Sequence, residues 1–117
     1  GHAVGDTVLI QLASTLQRAC RENDIVMRLG GDEFAMYLPG ISDKEQSESF
    51  FKRLFIQIDK IFIPEMQGEK VNVSLGASLC LDDDRATFDK LYHEADAAMY
   101  ESKKILGNHA IIYPDLD

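Results

Sequence analysis

Apolar residues recur near the start of the chain at Val8, Leu9, Leu12, Leu16 and Cys20. Their spacing places them on one stripe of a helix over residues 6 to 20. The period then changes. Ile25 to Leu29 is a short apolar run that stops at Gly30-Gly31, and Phe34 to Leu38 is a second one, stopped by Pro39-Gly40. Two such runs around a glycine pair predict a β-hairpin. Helical spacing returns over Ser42 to Ile63, where Phe51, Leu54, Phe55, Ile58, Ile61 and Phe62 share a face. Ser42 is the expected N-cap with Glu45 as its partner, Pro64 ends the helix, and Gln67-Gly68 forms a turn.

Beyond it, Val71, Val73, Leu75, Ala77, Leu79 and Leu81 alternate with Asn72, Ser74, Gly76, Ser78 and Cys80. That pattern predicts one long strand with a single buried face. The "DDDR" stretch reads as a solvated loop. A last helix is expected from about Thr87 to Leu106, with Leu91, Ala95, Met99 and Ser102 inward, Gly107-Asn108 as its stop, and a final strand over His109 to Tyr113. The order α β β α β α β predicts an α+β or mixed α/β layer, its helices packed on an antiparallel or mixed sheet. Neither repeat, low-complexity tract nor internal linker interrupts it, so one domain is expected over residues 1–117.

Composition narrows the functional classes. A chain of 117 residues, 45% apolar and 27% charged, is that of a soluble globular domain with a real core. A net charge of −8 argues against nucleic acid as a partner, although an acidic protein binds a polyphosphate when metal ions stand between them. No apolar run approaches the roughly 20 residues of a membrane span, and the pattern of a signal peptide is absent. No membrane contact by this segment and a cytoplasmic setting are therefore expected. Cys20 and Cys80 lie far apart with no metal-ligand spacing, and both are expected to be reduced core residues. His2, His93 and His109 show no metal spacing either and read as structural or surface residues. The chain opens on "GHAVGD" without a Met, so it is expected to be a piece of a longer protein.

The chemistry concentrates in "RLGGDEFAMYLP", residues 28 to 39. Gly30 and Gly31 have two available roles: supplying the positive φ of a tight turn, or leaving the backbone bare so that a ligand lies against it. Asp32 and Glu33 are neighbours on an extended chain and point to opposite faces, so one can face a site while the other does not. Two acids on a turn are also simply well solvated, and the five letters alone do not separate these readings.

"GGDEF", Gly30 to Phe34, resembles the signature of the GGDEF domain, the diguanylate cyclase family. The likeness continues along the chain in order. "GHAVGD" is similar to the family's stretch before its long helix. "REND", Arg21 to Asp24, is similar to its RxxD motif, with five residues between it and Gly30. "VSLGASL", Val73 to Leu79, resembles its long strand, and "ADAAMYESK", Ala95 to Lys103, its last helix.

The resemblance implies a nucleotidyl-cyclase-like (ferredoxin-like or palm) mixed sheet flanked by helices, with a hairpin carrying GGDEF. It implies an enzyme that condenses two GTP into cyclic di-GMP with release of pyrophosphate. Asp32 becomes a ligand of Mg²⁺ or Mn²⁺ near the α-phosphate. Glu33 becomes the second essential acid, in metal binding or in handling the attacking hydroxyl. Gly30 and Gly31 border the substrate. Asp6 sits at the place of a carboxylate that reads guanine, against the alternative of an Asp favoured by a helix N-terminus. Lys103 sits at the place of a phosphate-binding lysine, against that of a solvent-facing one. Arg21 and Asp24 correspond to an inhibitory site for the product, against an ordinary helix-end charge pair. The resemblance further implies a homodimer with one GTP on each subunit, and an upstream sensory or regulatory domain.

Two departures follow from the same comparison. The family's first strand, with a metal-binding Asp, precedes its "GH", so this segment alone is expected to be inactive. In "KKILGNH", Gly107 stands where a basic residue usually falls, and Lys104 or His109 are the nearby candidates to replace it. A degenerate module that binds GTP or cyclic di-GMP and regulates an attached domain without catalysis is the alternative function.

Overall fold

Helix α1 spans His2–Ala19 in the computed structural model, which describes residues 2–30, 33–80, 87–105 and 107–113. Its buried residues are Leu12, Thr15 and Leu16, the middle of the stripe read from the sequence, with a hydroxyl added to it. Thr15 tolerates burial because its Oγ1 donates to the Gln11 carbonyl at 2.9 Å. After α1 the chain turns and enters β1, Ile25–Gly30, which pairs antiparallel with β2, Glu33–Tyr37. The register runs from Ile25 opposite Tyr37 to Arg28 opposite Phe34, then shifts, so that Gly30 faces Glu33.

Helix α2 covers Lys44–Asp59. Its cap lies one residue later than expected. Asp43, not Ser42, caps it: Asp43 Oδ1 accepts from the Gln46 N–H at 2.7 Å, and Gln46 Oε1 accepts from the Ser42 N–H at 2.9 Å. The carboxylate is the stronger acceptor for an exposed helix N-terminus. Ser47, Phe50, Leu54 and Ile58 are buried, at steps of three and four. The helix ends four residues before Ile63, because Pro64 biases the residue before it toward extended backbone, and Ile63 sits at φ −128° and ψ 109°. The extended segment alternates: Ile61 and Ile63 are buried, while Phe62, expected on the inward face, is 73% exposed. A single 3₁₀ turn, Pro64–Met66, and a left-handed Gln67 with φ 54° reverse the chain toward the buried Val71.

Strand β3 is Ser74–Ala77, four residues in place of the eleven expected, and all four are half-buried where a one-sided burial pattern was expected. It pairs in parallel with β4, His109–Ile112, and α3, Phe88–Ser102, connects the two and packs on both. Gly76 explains how closely the helix approaches: a Cβ there would collide with the Ala95 carbonyl oxygen and with the main-chain nitrogen and Cα of Met99. The Ser78 hydroxyl donates to the Leu91 carbonyl at 2.7 Å and the Ser102 hydroxyl to the His109 carbonyl at 2.8 Å. Thr87 caps α3, its Oγ1 accepting from the Lys90 N–H at 3.2 Å.

The order of elements is the one expected, and the fold is α+β. Among the described residues the strands form two separate pairs, one antiparallel and one parallel, rather than a single mixed sheet. The chain divides into two compact units, Gly1–Ile41 with Lys52–Val71, and Ser42–Phe51 with Asn72–Asp117. Leu81 and the "DDDR" loop lie outside the described residues. No helix among the described residues is long and apolar enough to cross a membrane.

Candidate functional site

The hairpin turn is made by backbone the sequence is suited to. Gly30 has φ +141°, a value that L side chains rarely adopt, and it immediately follows the register shift between β1 and β2. Space is not what demands a glycine here, because no described atom lies within 4 Å of where its Cβ would stand. The conformational role is therefore met, and the bare side of the glycine is open as well. Glu33 is the first residue of β2 and is half-buried, while Phe34 opposite Arg28 takes the other face of the ribbon. Gly31 and Asp32, assigned to the substrate and to a metal, lie outside the described residues.

Arg21 and Asp24 form a closed turn at the end of α1. The Asp24 Oδ2 accepts from the Arg21 N–H at 2.8 Å, and the Asp24 N–H donates back to the Arg21 carbonyl at 3.1 Å. Arg21 Nη1 reaches 3.8 Å from where a Cβ on Gly40 would stand, which puts the guanidinium beside the turn that leaves β2. The contact within the motif is thus between a carboxylate and the main chain, not the charge pair that a plain helix end suggests. Cys20 adjoins this turn. Burial pushes its thiol above its ordinary value of 9.0, and the nearby Asp24 carboxylate adds to the effect. It is half-buried, whereas Cys80 is exposed, so neither is the core cysteine expected; the two are thiols, not a disulfide.

Asp6 is the fifth residue of α1, exposed and beyond the first turn.

The other cationic candidate belongs to the second unit. Lys103 is the C-cap of α3, exposed, with its N–H bonded to the Met99 carbonyl at 2.9 Å. Lys104 is drawn back along the helix: its ammonium lies 3.1 Å from Glu101 Oε1 and 5.1 Å from the centre of the Tyr100 ring. His109 is half-buried at the start of β4, its N–H donating to the Val73 carbonyl at 3.3 Å. Of the three, Lys104 is the one whose side chain is shown paired. Gly107 has φ +84° in the loop between α3 and β4, five residues past the end of α3, not at its C-cap. Asn108, read from the sequence only as part of a helix stop, places its Oδ1 2.7 Å from the Val73 N–H. An Asn beside a Gly is the signal that marked the turn, but the partner across 35 residues was not legible.

Among the described residues no cluster of three or more His, Cys, Asp or Glu side chains could hold a metal ion. The acids proposed for that role are Glu33 and Asp32, adjacent oxygen donors of the kind a hard divalent cation takes.

A family profile for the diguanylate cyclase GGDEF domain matches residues 1–109. Diguanylate cyclase TpbB of Pseudomonas aeruginosa is 37% identical over 112 residues, covering 89% of this chain and 24% of that protein. The protein YtrP of Bacillus subtilis is 33% identical over 116 residues, covering 99% of this chain and 19% of its own length. The chain thus spans about a fifth to a quarter of these relatives. The crystal structure of the TpbB GGDEF domain superposes with a TM-score of 0.78 at 32% identity, over 96% of this chain and 70% of that one. An EAL/GGDEF domain protein from M. capsulatus gives the same TM-score at 29% identity, over 97% and 72%.

Proposed function

The chain belongs to the GGDEF domain family, the diguanylate cyclases, and on that premise we propose that it is the module of a longer protein that condenses two GTP into cyclic di-GMP. The reading is carried by one observation: Glu33 of "GGDEF" opens β2 directly opposite Gly30, whose φ is positive, within a chain matched to the family over residues 1–109.

In this reaction the 3′-hydroxyl of one GTP attacks the α-phosphate of the other, and pyrophosphate leaves. The developing charge sits on phosphate oxygens, so the site must supply positive charge there. Asp32 and Glu33 would hold Mg²⁺ or Mn²⁺, which when bound offsets that charge and lets a protein of net charge −8 accept a polyanion. Glu33 either shares the ion or takes the proton of the attacking hydroxyl. Gly30 and Gly31 leave the backbone bare beside the nucleotide. Asp6 accepts the N1–H and N2–H₂ of guanine together, a pairing adenine does not offer. Lys103 contacts the triphosphate. One such site holds one GTP, so synthesis requires two copies facing each other, and a partner domain that raises their local concentration controls the rate.

Arg21 and Asp24 would form the inhibitory product site. Arg21 presents a forked donor to a phosphate or guanine edge. The turn that Asp24 closes holds that side chain's backbone in place.

A second reading has one observation in its favour. Gly107 carries no charge, and Lys104 is already engaged by Glu101, so the loop after α3 offers fewer cations than a phosphate-binding loop usually does. A module that binds nucleotide without joining it is consistent with that.

The test is direct. The full natural protein carrying this chain is incubated with GTP and Mg²⁺, and the products are separated by chromatography. Cyclic di-GMP is expected, and its loss in Asp32→Asn and in Glu33→Gln with the fold intact. Retained synthesis in either variant removes that acid from the mechanism. Binding of GTP with no product from the wild type selects the second reading.

A further inference from the structure

Lys103 immediately follows α3 and Asn108 immediately precedes β4, and a relay of hydrogen bonds ties these two ends of the connection together. The Val73 N–H donates to Asn108 Oδ1 at 2.7 Å. The His109 N–H donates back to the Val73 carbonyl at 3.3 Å, so both polar groups of Val73 are used. The His109 carbonyl accepts from the Ser102 hydroxyl at 2.8 Å. Ser102 is fully buried and is the residue immediately before Lys103. The relay therefore runs from the residue preceding β3, through the start of β4, to the last residue of α3.

We propose that Asn108 is a positioning residue for Lys103: its side-chain oxygen locks the far end of the loop to β3, and Lys103 is held where it meets the nucleotide's phosphates. The proposal rests on Lys103 contacting the triphosphate, and it extends that reading to a residue with no charge and no contact with substrate. The geometry explains why an acceptor is needed at position 108. The strand ladder begins only at Ser74 opposite His109, so without Asn108 the Val73 N–H has no partner in the ladder. Lys104 does not take over, because its ammonium is held by Glu101.

The experiment is a double-mutant cycle in the full natural protein, read by the KM for GTP, by kcat, and by direct binding of a non-hydrolysable GTP analogue with Mg²⁺. Lys103→Ala tests the underlying reading: unchanged affinity means that Lys103 does not contact the triphosphate, and that reading fails by itself. Given an effect there, Asn108→Ala is expected to raise KM and weaken binding by about fivefold or more, with kcat little changed. Asn108→Asp, which keeps the acceptor, is expected to stay within about twofold of the wild type. In the Lys103→Ala background, Asn108→Ala is expected to add nothing further. Asn108→Gln moves the oxygen by one methylene and provides the same comparison should the Ala variant not fold. The proposal is overturned if Asn108→Ala weakens binding equally with and without Lys103, if Asn108→Asp is as impaired as Asn108→Ala, or if the loss falls on kcat alone.

Discussion

The carboxylate of Asp24 accepts the main-chain N–H of Arg21 at 2.8 Å, and the Asp24 N–H returns a bond to the Arg21 carbonyl at 3.1 Å. One residue of the RxxD motif thus shapes the backbone of the other. Asp24→Ala is expected to lower stability by about 0.5–1 kcal/mol, since the bond is exposed, and Asp24→Asn to lower it less because an amide oxygen still accepts. Chemical denaturation measures both. Arg21→Ala leaves these main-chain bonds in place and is expected to relieve inhibition by cyclic di-GMP in the full protein without changing stability. Inhibition that persists unaltered would leave the motif as a turn and nothing more.

The Cys20 thiol is held above its ordinary value of 9.0 by burial and then by the Asp24 carboxylate. It is therefore protonated at neutral pH and a poor nucleophile. Iodoacetamide labelling followed by mass spectrometry should find Cys20 reacting slowly at pH 7–8, and faster in Asp24→Asn, where the repelling charge is gone. The linkage has a definite sign. Because the folded-state value is the raised one, the unfolded chain loses this proton first as pH climbs past about 9. The group's contribution to stability is complete below that pH and is lost above it. Cys20→Ser should remove that part of the alkaline loss.

Gly76 and Gly5 make opposite predictions from the same substitution. A methyl on Gly76 meets the main chain of Ala95 and Met99, which cannot rotate away, so Gly76→Ala is expected to cost about 1–3 kcal/mol as α3 is pushed off β3. Gly5 lies on exposed helix with nothing within 4 Å of the added atom, and Gly5→Ala is expected to stabilise by about 0.5–1 kcal/mol. Melting temperatures of the two variants should move in opposite directions.

Ile63 is 3% exposed and its neighbour Phe62 is 73% exposed. Ile63→Ala is expected to cost about 2–5 kcal/mol, whereas Phe62→Ser should stay within about 0.5 kcal/mol of the parent. A larger loss for Phe62→Ser than for Ile63→Ala in urea titrations would show that α2 continues through this segment, as helical spacing alone predicts.

Much of the chain was legible from its own residues. The element order, the hairpin bracketed by Gly30-Gly31 and Pro39-Gly40, the inward Leu12 and Leu16, and the start of α3 at Thr87 all follow from local rules: periodicity, turn chemistry and capping act over a few residues. The ordered motifs from "GHAVGD" to "ADAAMYESK" identify the family for the same reason, since each is a short stretch read in place.

What only the tertiary structure decided are relations between residues far apart in the chain. Alternating Val71 to Leu81 promises a long one-sided strand, yet strand length is set by where a partner lies, and β4 offers four residues. Gly76 looks like one more small residue in that run until the backbone of α3 is seen against it. Ser102 and Asn108 are unremarkable polar letters, and their bonds to His109 and Val73 appear only when helix, loop and strands are assembled. The physical reason is common to these cases: a side chain's local preference is written in its neighbours along the chain, but hydrogen-bond partners and close backbone contacts depend on which distant segments the fold brings together.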